Sequence, residues 1–138
     1  MNNMNWLPSI LILVCIATMG CQPESNSITM PNGEPKFITV QHCLIAFEDT
    51  LGDKILPRKK DQAGVLAQKL FEQAKAGEDF SAIVQKYTDD SPPGIYRMVN
   101  RGVTEAGKGA FARGEMVPAF GDIGFALQVG EYGLAEYS

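Results

Sequence analysis

The run FITVQHCLIAF, Phe37 to Phe47, sets the strongest limit on how this chain folds. Its density of β-branched and apolar residues argues for a strand. Side chains alternate across a strand, so Ile38, Val40, His42, Leu44 and Ala46 share one face, and Thr39, Gln41, Cys43, Ile45 and Phe47 the other. Both sets are mostly apolar. A strand of that kind is central in its sheet and covered on each side.

The segments that follow supply the cover. A polar loop, EDTLGDKILPRKK, leads to an amphipathic helix from about Lys59 to Ala76, with Ala63, Leu66, Leu70 and Ala74 in one stripe and Ala67 and Phe71 widening it. Gly77 ends that helix. Asp79 can cap a second, shorter helix whose apolar residues are Phe80, Ile83, Val84 and Tyr87. TDDSPPG then breaks regularity, and after a loop GKGAFARG reads as a short strand. Next comes a helix led in by Pro118, with Phe120, Ile123 and Leu127 on one side, and EYGLAEYS starts another strand. The order β-αα-β-α-β with short connections makes an α+β domain. Gly121 and Gly124 do not favour the last helix, since each costs about 1 kcal/mol relative to alanine there. Something around that helix has to hold it.

Before Phe37 the chain has another character. Ile10 to Ala17 is apolar but far short of the roughly 20 residues that span a bilayer, and it stops at Gly20-Cys21. The segment resembles a bacterial lipoprotein signal, which implies cleavage before Cys21 and lipid attachment at its thiol. A secretory signal cleaved without lipid and a short anchor are the other readings. QPESNSITMPNGEPK, Gln22 to Lys36, reads as a flexible tether. The expected division is therefore a signal over 1–20, the lipid-bearing Cys21 and tether over 21–36, and a folded domain over 37–138.

Several chemistries lapse on the residue inventory. The net charge of -4 and pI near 4.9 give no basic face for a phosphate backbone, so nucleic acid is not an expected partner. One histidine in the chain and no cysteine pair at zinc spacing leave no expected metal site. His42 and Cys43 point to opposite faces of one strand, which argues against a Cys–His nucleophilic pair. No phosphate-cradling glycine loop or nucleophile elbow is present. What remains is His42, Asp89 and Asp90 after the second helix, and Met116 with Phe120, four apart across a helix start.

In that order these residues resemble the parvulin, or PpiC-type, peptidyl-prolyl cis-trans isomerases. VQHCLIAF is similar to the family's His-bearing strand. AQKLFEQAKAGEDFSAIVQKYTDDS is similar to its long helix, Gly-x-Asp-Phe turn and second helix. GAFARGEMVPAFGDIGFALQVGE is similar to its glycine-led strand, Met-x-x-x-Phe pocket and following helix. The resemblance implies a four-stranded antiparallel sheet flanked by helices. His42 matches the first active-site histidine and Asp90 a position held by Cys or Asp. Met116, Phe120 and Phe111 match the residues around the proline ring. It also implies proline-containing extended polypeptides as partners and no cofactor, while the lipoprotein-like N-terminal segment implies an exported, membrane-anchored location.

The chain departs from the family at three places. Lys108 stands where an aliphatic pocket wall is expected, and the loop over 91–107 is unusual. The chain also stops after GLAEYS, before the closing Gly-x-His strand that carries the second histidine. On this reading the domain is C-terminally incomplete, and the strand holding His42 is left with an unpaired edge. A second class of function, a proline-peptide-binding or chaperone-like module without turnover, stands beside the enzyme. Reading of phosphorylated substrates through Lys54, Arg58, Lys59 and Lys60 is disfavoured, because Glu48, Asp49, Asp53 and Asp61 roughly neutralise that loop.

Overall fold

The computed structural model describes residues 10–15, 29–52, 54–104 and 107–137, and Cys21 lies outside them. The elements in chain order are β1 (Ile10–Cys15), β2 (Phe37–Ile45), α1 (Lys60–Lys75), α2 (Phe80–Tyr87), β3 (Ile95–Val99), β4 (Phe111–Ala112), a 3-10 turn (Arg113–Glu115), α3 (Pro118–Ala126) and β5 (Tyr132–Tyr137). The strands form one sheet in the order β4-β3-β2-β1-β5. Its pairs are antiparallel except β3 with β4, where Met98 faces Phe111 and Val99 faces Ala112 in parallel.

The run from Phe37 is covered on both faces, as its alternation requires. Cys43 and Ile45 pack against Ala63, Ala67, Leu70 and Ala74 of α1 and Phe80, Ile83 and Val84 of α2. Ile38 and Val40 meet Met98, Phe120 and Phe125 on the opposite face. Asp79 caps α2 by accepting from the Ser81 N–H at 3.0 Å. The glycines of α3 have a packing reason. A Cβ on Gly124 would stand 3.1 Å from Ile38 Cδ1 and 3.2 Å from Met98 Cε, so the helix lies closer to the sheet than alanine allows without repacking.

Four expectations need correction. Ile95–Val99 is a strand and not part of a loop: IYRMV is short, but Tyr96 and Met98 face inward between two turn segments. The sheet has five strands and one parallel pair. The edge of β2 is not open, because β1 pairs with it from Leu11↔Ile45 to Cys15↔Gln41 and with β5 from Ile10↔Tyr137 to Cys15↔Tyr132. The segment expected to supply an export signal thus fills the slot in which a closing strand was missed.

The last part of the expected tether is also folded onto the domain. Thr29 bridges Pro35, and Glu34 accepts from Arg113 Nη1 at 3.0 Å and Asn100 Nδ2 at 3.1 Å. Arg113 also donates to Asn100 Oδ1 at 3.0 Å and Asp122 Oδ1 at 2.8 Å, and its guanidinium lies 4.7 Å from the Phe125 ring centre. Burial opposes the Arg113 charge, but these acceptors hold its proton affinity above the ordinary value. The network fixes the entry to β2, the end of β3 and the start of α3 relative to one another.

Candidate functional site

On the face of β2 that α3 covers, His42 is buried, with Tyr96 of β3 and Phe120 of α3 against it. The His42 and Tyr96 rings meet edge to face at 4.7 Å and 77°, and Phe120 lies 5.4 Å from His42 and 5.8 Å from Tyr96. Phe111 adds a ring 5.5 Å from Tyr96 and is 46% exposed, which leaves it open to an arriving apolar group. Met116 is half-buried in the same cluster. Sequence order separates these side chains widely. The sheet and α3 gather them on one side.

Asp90 is brought to His42 by the residues before it. Thr88 Oγ1 accepts from the Leu44 N–H at 3.1 Å, Asp89 Oδ2 from the Ala46 N–H at 2.8 Å, and the Asp89 N–H donates to Leu44 O at 2.8 Å. The Thr-Asp stretch therefore stands in for a strand along the end of β2. Arg58 pairs with Asp89, and the Lys54 ammonium donates to the Asp89 carbonyl. Both cations are thus engaged locally, in keeping with a neutralised loop. Asp90 Oδ2 then lies 3.4 Å from His42 Nε2 and accepts from the Tyr96 hydroxyl at 2.8 Å.

The other side of the imidazole is set by Gly94. Its carbonyl accepts from the His42 backbone N–H at 2.8 Å and faces His42 Nδ1 at 3.3 Å. His42 is therefore flanked by two acceptors, while a neutral imidazole carries one N–H. Burial pulls the His42 proton affinity below its ordinary value, only partly offset by Gly94 and the Asp90 charge. Burial pushes the Asp90 carboxyl up, but the Ser91 and Tyr96 hydrogen bonds, with the His42 and Lys54 charges, bring it below the usual carboxylate range. Burial, the Asp90 hydrogen bond and the Asp90 charge together raise the Tyr96 phenol to about 12.

The unfolded chain takes up a proton at histidine more readily than the folded one, so His42 lowers folding stability as pH falls through the ordinary histidine value near 6.5. Urea midpoints measured from pH 7.5 down to 5.5 should decline, and replacing His42 with glutamine should flatten the decline.

Every proposed site residue on the described part of the chain stands in this cluster: His42, Asp90, Met116, Phe120 and Phe111. Lys108 does not. It lies exposed in the turn before β4, and the position against Phe111 and Phe120 is taken by Tyr96. Tyr96 was not singled out in the sequence, although period-two alternation through IYRMV puts it on the face of Met98. Cys43, on the opposite face, is buried and its thiol is pushed up to about 12 by burial, which leaves it protonated and a poor nucleophile.

Residues 29–138 match the family described as the PPIC-type PPIASE domain. The chain is also 32% identical over 117 residues to a protein of Chromohalobacter salexigens named Chaperone SurA. That alignment covers 84% of this chain and 22% of the chaperone. No solved structure gives a significant match.

Proposed function

Because the chain belongs to the PPIC-type peptidyl-prolyl cis-trans isomerase family, we propose that it rotates X–Pro bonds in extended polypeptides. The observation that carries this reading is the convergence of His42 and Asp90 with Phe120, Phe111 and Met116 on one side of the sheet. Rotation about an X–Pro bond has a barrier of about 20 kcal/mol, and no covalent bond has to break. A protein accelerates it by binding the twisted amide better than either planar form. Phe120, Phe111 and Met116 form the apolar surface for the proline ring, and His42 with Asp90 orients the polar contacts of the amide. Cys43 takes no part.

The experiment is exchange NMR or a protease-coupled assay on an Ala-Pro peptide. Met116→Ala and Phe120→Ala each remove apolar contact worth roughly 1.5 to 3 kcal/mol, so kcat/KM should fall about 10- to 100-fold. Cys43→Ala should retain activity. A well-folded protein with no rate enhancement on several X–Pro peptides would overturn the enzyme reading. It would leave a binding module without turnover, a role favoured by the likeness to a protein named a chaperone.

The proposed setting is outside the cytoplasm; lipid attachment at Cys21 is proposed only for molecules in which another strand takes the place of β1. No helix among the described residues is long and apolar enough to cross a membrane. Cleavage before Cys21 would also remove β1, so one mature molecule cannot carry both a lipidated Cys21 at its N-terminus and Ile10–Cys15 in its own sheet.

A further inference from the structure

We propose that Tyr96 is a positioning residue of this site: its hydroxyl holds Asp90 and thereby sets the protonation of His42, while its ring forms one wall of the aromatic pocket. The proposal rests on the isomerase reading only for the consequence of that arrangement on turnover. Tyr96 is placed by the β2–β3 register, which pairs it with Val40, two residues from His42 on the same face. Across that face its ring touches His42, Phe111 and Phe120. Its hydroxyl donates to Asp90 Oδ2 at 2.8 Å, and this oxygen is the one 3.4 Å from His42 Nε2.

Two donors therefore compete for one carboxylate oxygen. The phenol is the closer and keeps its proton throughout the neutral range. With Oδ2 already satisfied, the demand for a proton on His42 Nε2 is weakened, and Nδ1–H can be kept for the Gly94 carbonyl at 3.3 Å. The imidazole then remains neutral, with its proton on Nδ1 and Nε2 beside the Asp90 carboxylate. The groups that bear on His42 are Asp90 from the segment after α2, Tyr96 from β3 and the Gly94 carbonyl. Lys54, from the loop after β2, acts on Asp90. α3 contributes the Phe120 ring. A second histidine is not needed for this balance.

Tyr96→Phe keeps the ring and removes the hydroxyl. Because the chain has one histidine, its Cε1 proton gives an unambiguous NMR titration in the full-length protein without substrate. Freed of the phenol, Asp90 should attract the imidazolium more strongly and raise the His42 midpoint by about half a unit. In an Asp90→Asn background the same Tyr96→Phe change should give no further rise. On an Ala-Pro peptide, Tyr96→Phe should lower kcat about tenfold with KM little changed, because the pocket wall is intact. An unchanged His42 midpoint in folded Tyr96→Phe, or an equal shift with and without the Asp90 carboxylate, would overturn the proposal. The titration decides this even if the wild-type chain turns over no X–Pro peptide, an outcome that would count against the isomerase reading alone.

Discussion

Deleting residues 10–15, or placing proline at Leu13, is expected to unfold most of the domain. β1 is the fourth strand in the order β4-β3-β2-β1-β5 and, among the described residues, the strand that links β2 to β5 in the sheet. An antiparallel strand of six residues flanked on both sides makes about ten main-chain hydrogen bonds. At a net value of about 1 kcal/mol each, their loss approaches the whole margin of 5 to 15 kcal/mol for a typical domain. Proline at Leu13 removes a donor and cannot sit in a central strand. Urea unfolding of the intact chain, the deletion and Leu13→Pro, with the mass of the mature N-terminus read on the cellular protein, gives the check. Equal midpoints for all three would mean that the slot between β2 and β5 is dispensable. A mature protein beginning at Cys21 and still folding cooperatively would mean that another strand takes the slot.

Gly94→Ala should be nearly as damaging, for a local reason. Gly94 has φ +64, and a Cβ there would stand 2.3 Å from the His42 carbonyl oxygen, which is backbone and cannot swing aside. The left-handed conformation costs about 1 to 2 kcal/mol in any L-residue with a Cβ. Relieving the overlap adds about 1 to 3 kcal/mol. Because the Gly94 carbonyl accepts from the His42 backbone N–H and faces Nδ1, the shift that relieves the clash also moves the imidazole. A loss of about 2 to 5 kcal/mol in urea unfolding, with the proposed isomerase activity reduced even in the fraction that remains folded, is the expected result. Alanine accepted at this position with both properties intact would show that the turn between α2 and β3 is looser than its geometry implies.

Which parts of this molecule could be read from its residues follows from how local their causes are. β2 declared itself through two apolar faces, α1 and α2 through helical spacing and the Asp79 cap, and Met116 with Phe120 through their four-residue separation. Those signals lie within a few residues of one another. β3 was obscured because Pro92, Pro93 and Gly94 dominate the reading of that stretch, and because Ile95 and Arg97 point outward. Tyr96 acquires meaning only when the register brings it to His42. β1 is the extreme case. Ile10–Cys15 has the composition of a leader and equally that of a buried strand, and its pairing with two distant segments is not written in those six residues.

That pairing also bears on timing. Ile10 opposes Tyr137, 127 positions away (137 minus 10), so the sheet cannot close until Tyr137 has been synthesised. Contacts between such distant segments form slowly, because loop closure precedes any reward. At roughly 5 to 20 residues per second, several seconds pass between the emergence of β1 and that of its β5 partner. During that interval the Ile10–Cys15 segment is available to whatever recognises short apolar stretches at the start of a chain. The fate of the segment is then a race: capture and removal before Tyr137 emerges yields a chain without β1, and folding first hides the segment inside the sheet.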